Sequence, residues 1–169
     1  MMIKKIFFGL FLMVTITSFS QKKSFSTLNS DKVVLYDFSG GKGEGIISII
    51  DNKGNLAKTV KKKILLDLET VKVLNKKLES RESYGGATAS CFDPHLGIVY
   101  YSKNKPIAHL SICMDCNRLR SSRNIPAQNQ GKTGKGEDAY YLLDGMSKSF
   151  RIYINELLKK YNFSHQMKK

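Results

Sequence analysis

Long apolar runs are missing from this chain. The longest uncharged, mostly apolar stretch, residues 6–16, falls short of the ~20 residues a bilayer-spanning helix needs. Internal repeats and dividing linkers are also missing, which argues against a solenoid and for one domain. Acidic residues are scarce, 14 against 28 Lys and Arg. Cysteine is scarcer still: there are three, an odd number, so the thiols cannot all pair within one chain. No glycine stretch has the setting of a phosphate loop. Residues 40–45 lead into a strand pattern, not a helix. Gly131-Lys132-Thr133 mimics the end of a Walker A loop, but Pro126 stands where the first glycine is required.

What is present begins at the N-terminus. Lys4 and Lys5 precede the apolar stretch, and Ser18 and Ser20 place small residues before Gln21. That is the pattern of a cleavable signal peptide over residues 1–20, so the expected location is periplasmic or secreted. No cysteine follows closely enough for a lipid-anchored start. The remaining chain, residues 21–169, is long enough to bury a core without needing disulfides merely to fold. Setting aside Lys4 and Lys5 leaves 26 basic against 14 acidic residues, a net charge of +12. Nucleic acid would be weighed for a cytosolic protein of this charge. For an exported one, the polyanion to expect is an envelope surface polymer or anionic lipid. Pairs such as Lys76-Lys77 and Lys159-Lys160 are scattered, as on a solvated surface.

The pattern predicts short strands and two helices. Residues 32–38, rich in β-branched and aromatic side chains, read as a strand. Residues 46–50 and 56–61 read as two more, around a turn at Asp51-Asn52-Lys53-Gly54-Asn55. Asp67 is a suitable N-cap for a helix reaching Glu79, with Leu68, Val71, Leu74 and Leu78 at helical spacing. A hairpin follows, 97–102 against 106–113. Residues 121–138 are polar and glycine-rich and read as a mobile loop. A second helix is expected over 147–161, with Phe150, Ile154, Leu157, Leu158 and Tyr161 on one face. Together these predict a single α+β domain built on an antiparallel sheet with two amphipathic helices.

The chemistry concentrates between Cys91 and Cys116. Cys91, His95, Cys113 and Cys116 form a complete Cys₃His set, and the expected hairpin register puts His95 within a residue of the position facing Cys113. Four such ligands suit tetrahedral Zn²⁺, and Cys113-x₂-Cys116 has the zinc-knuckle spacing. In an exported protein the same thiols can pair instead, leaving one disulfide and a spare cysteine, with three connectivities open. A third reading is a thiol–disulfide redox site at Cys113 and Cys116, with Cys91 as resolving thiol. Residues 117–123 offer no amphipathic helix to stabilise a thiolate there, which weakens it. A Cys91–His95 hydrolase lacks any visible oxyanion setting. His109, within a strand, and His165, in the tail, read as ordinary packed or solvated histidines.

The block containing Cys91, Pro94, His95 and Gly97, followed by Cys113 and Cys116, resembles a motif set of small exported bacterial proteins with no established activity. That resemblance implies one shared site for the motif residues and lends no catalytic role. The chain is therefore expected to be a non-enzymatic exported binding or accessory protein with a structural metal or disulfide. The alternatives are a thiol-redox protein, or a polyanion-binding surface protein using Arg118, Arg120, Arg123 and Lys132.

Overall fold

The computed structural model describes residues 24–40, 47–129, 131–141 and 143–166. The expected signal peptide at 1–20 lies outside them. The elements in chain order are β1 (Lys32–Asp37), β2 (Lys62–Leu65), α1 (Leu68–Glu79), β3 (Tyr84–Gly86), β4 (Leu96–Ser102) and β5 (Lys105–Cys113). Next come β6 (Arg118–Ser121), β7 (Lys132–Thr133), β8 (Tyr140–Tyr141), β9 (Gly145–Met146) and α2 (Lys148–Lys160). Five strands form one sheet, β2-β1-β4-β5-β6, every neighbouring pair antiparallel. Two further two-stranded ladders, β3-β9 and β7-β8, are separate from it. The domain is α+β, as the element pattern predicts.

The central strands bury both faces, so their sequences read as near-continuous apolar runs. On one face Val33, Leu35, Ile98, Tyr100, Leu110 and Ile112 pack against the helices. Each helix presents an apolar stripe: Leu74 and Leu78 from α1, and Phe150, Ile154, Leu157 and Leu158 from α2. Asp67 caps α1 by accepting from Thr70 N at 2.7 Å, and Ser147 caps α2 by accepting from Phe150 N at 3.4 Å. Leu68, expected on the buried stripe of α1, is exposed. It occupies the first turn, where the helix has only begun.

On the opposite face Val34, Tyr36 and Val99 pack against Phe38, Ile49 and Ile50. Here the structure departs from the expected strands. Of the segment expected as a strand at 46–50, residue 46 lies outside the described residues. The rest pairs only through the bridge Ile50↔Leu56, and the next strand starts at Lys62, not Leu56. The segment instead serves as a lid over the sheet. Ile49 N donates to Ser111 Oγ at 2.9 Å, and the Ile49 side chain rests on Gly97. A Cβ at Gly97 would lie 2.5 Å from Ile49 Cγ1, so β4 needs glycine there for this contact.

The β4–β5 hairpin turns at Lys103 and Asn104, with φ of 49° and 65°. A two-residue turn with both φ positive matches the right-handed twist of the strands. Ser102 therefore faces Lys105, and a register shift follows at Tyr100/Tyr101. Leu96 ends opposite Ile112, which carries His95 to the position facing Cys113. The region expected as a loop at 121–138 contributes Ile125 and Ala127 to the core and holds β7.

Candidate functional site: a three-cysteine cluster at the end of the sheet

Three elements position the cysteines. Cys113 is the last residue of β5, Cys116 lies in the turn at 114–117 that leads into β6, and Cys91 lies in the segment between β3 and β4. The turn closes because Asn117 adopts the left-handed region, φ 52°, which asparagine tolerates better than most residues. Its side-chain amide then donates to Ala87 O at 2.8 Å and Met146 O at 2.9 Å. Ala89 N donates to Cys116 O at 3.0 Å, and Arg118 Nη1 to Ser90 O at 3.3 Å. These bonds dock the Cys91 segment onto the turn.

Cys91 and Cys116 form a disulfide, with Cα atoms 5.9 Å apart. Cys113 is free and fully buried, and its sulfur accepts a hydrogen bond from Cys116 N at 3.4 Å. The three Sγ atoms all lie within 4.8 Å of one another. Tetrahedral zinc holds sulfur at ~2.3 Å, which separates two sulfurs by about 3.8 Å. The cluster is close enough to hold a metal once reduced. In the oxidised form the bonded sulfurs are about 2 Å apart and cannot both act as thiolate ligands.

His95 does not join this group. Its N–H donates to Ile112 O at 3.0 Å, which keeps the backbone beside Cys113. Its ring pairs elsewhere: Nδ1 contacts Asp93 O at 2.9 Å, and the ring packs on His165 with centroids 4.4 Å apart. His165, expected in a solvated tail, is placed there because the chain folds back after α2. Asn162 turns with φ 54°, Phe163 enters the core, and Lys62 Nζ donates to Tyr161 O at 2.6 Å. Ser164 Oγ then donates to Asp37 Oδ2 at 3.3 Å, and His165 Nδ1 lies 3.9 Å from Asp37 Oδ1. The apolar Phe163 just past the helix was the one sequence signal that the tail is anchored.

The other candidates are distributed differently. His109 is half-buried, with its N–H bonded to Ser122 Oγ at 2.8 Å, and burial holds its imidazole below the ordinary histidine range. It lines a concavity of about 830 Å³ with Ser122, Ile50 and Thr59. Three of the basic residues expected to bind polyanions have internal contacts. Arg118 holds Ser90 O, Arg120 sits 4.3 Å from the Phe92 ring centroid, and Arg123 donates to Ile107 O through Nε and Nη2. After Cys116 comes the strand β6, so the C-x₂-C pair does not open a helix.

Fold and site together define a class: an α+β domain whose sheet end is fastened by a disulfide with a third, buried thiol against it. Comparison with known proteins adds no family to that class, since no family model, curated protein or solved structure matches the chain.

Proposed function

We propose that this chain is a small exported, non-enzymatic binding or accessory protein. In this reading the Cys91–Cys116 disulfide holds the segment before β4 in place as a presented surface. One observation carries it: the disulfide joins that segment to the β5–β6 turn, while the only unpaired thiol, Cys113, is fully buried. A disulfide is the stable state of such a pair in an oxidising compartment, which agrees with the signal-peptide pattern of residues 1–20. The basic surface suits an anionic envelope polymer as partner.

A second reading is favoured by the mutual approach of the three sulfurs within 4.8 Å. With all three thiols reduced, Cys91, Cys113 and Cys116 would hold Zn²⁺, with solvent or His95 as the fourth ligand. Intact mass under native and denaturing conditions separates the two. The disulfide reading requires a mass two hydrogens light, no metal and one alkylatable thiol in denaturant. A bound zinc with three thiols would replace it with the metal reading.

A further inference from the structure

The three sulfurs are close together but unequally exposed. Cys91 faces solvent, Cys116 is 1% exposed and Cys113 is 0% exposed. The Cys116 N–H donates to Cys113 Sγ and so holds that sulfur against the disulfide. Cys113 and Cys116 also flank a single reverse turn. The ends of such a turn have Cα atoms less than about 7 Å apart. Disulfides are made at Cα separations of about 4.4–6.8 Å, so pairing these two needs side-chain rotation more than backbone movement.

Resting on the disulfide reading above, we infer that the cluster is an exchange relay that delivers a free thiol to the surface. The Cys113 thiolate attacks Cys116 Sγ, the Cys113–Cys116 bond forms, and the Cys116–Cys91 bond breaks. Cys91 leaves as thiolate at the solvent-facing position, and the proton that Cys113 gave up passes to solvent. One disulfide and one thiol are present before and after, so no oxidant or reductant is consumed. The exposed Cys91 thiolate then exchanges with a disulfide-bearing partner: its sulfur bonds one partner sulfur, and the other departs as thiolate. The buried thiol thus acts at the surface without being exposed itself.

The test uses the native full chain and the small aromatic disulfide 5,5′-dithiobis(2-nitrobenzoate). Acid quenching, denaturing alkylation and peptide mapping before the probe is added should find Cys91–Cys116 linked and Cys113 alkylated. Probing the folded protein should then release one equivalent of thionitrobenzoate. The adduct should sit on Cys91, with Cys113–Cys116 linked. Cys113→Ser should release none. Cys91→Ser should also release none, its two remaining cysteines being paired. An adduct on Cys113, or reaction only after denaturation, overturns the relay while leaving the structural disulfide standing. Three alkylated cysteines in unreduced, denatured protein before the probe would overturn the disulfide reading and the relay with it.

Discussion

Among single residues, the disulfide and the half-buried histidine have measurable consequences. Cys91 and Cys116 are 25 residues apart, and in the chain-entropy account closing a loop of that length stabilises the fold by about 3.5 kcal/mol. Cys91→Ala should therefore lower unfolding free energy by that order in denaturant titration. Reductant should destabilise the variant less than the parent, because the Cys113–Cys116 pair left in the variant closes only a short loop. His109 gives a pH signature. Burial depresses its folded-state pKa, so the unfolded chain binds the proton first as pH falls through about 6.5. Stability from its neutral form is present above that value and is lost below it. Between about pH 7 and 5.5, the parent should lose more stability than His109→Gln; equal slopes in denaturant titrations would refute this.

At the scale of elements, the sheet is held from two sides by different means. The helices contribute fully buried stripes, and truncating Leu74 or Ile154 to alanine should cost about 2–5 kcal/mol, read from chemical denaturation. The lid face depends on one close approach, Ile49 over Gly97. Gly97→Ala should destabilise by about 1–3 kcal/mol through overpacking. Ile49→Ala should also destabilise when made alone, but the double variant should be less unstable than the two single losses added together. Strict additivity in that cycle would show that the two residues do not share the contact.

The helices and the β4–β5 hairpin were legible because their signals are local: a cap, an apolar stripe, two apolar runs around a short polar turn. The segment 47–60 was not. Ile49 and Ile50 carry strand-like composition, yet their burial comes from packing over the sheet face and not from joining its ladder. Composition reports the burial without distinguishing its source.

For the whole molecule, charge and architecture are separate matters. The full chain carries a formal +14, while Arg118, Arg120 and Arg123 are engaged with Ser90, Phe92 and Ile107. Polyanion binding would then draw mainly on the lysines. The protein should be retained on heparin, elute earlier as salt rises, and keep that retention in Cys113→Ser. No helix among the described residues is long and apolar enough to cross a membrane. The anchored tail is also a whole-molecule feature, since Ser164 and His165 reach Asp37 across 127 and 128 residues of sequence.

The sequence by itself determined the α+β class, both helices with the Asp67 cap of the first, the hairpin, and the placing of His95 within a residue of the position facing Cys113. Each follows from periodicity or spacing over a few residues, which the chain carries wherever it folds. Tertiary structure decided which thiols pair, because three connectivities were open and only the docking of residues 87–91 on the β5–β6 turn brings Cys91 to Cys116. It also decided that His95 turns to His165. That partner is 70 positions away, and only the return of the chain past Phe163 places it there.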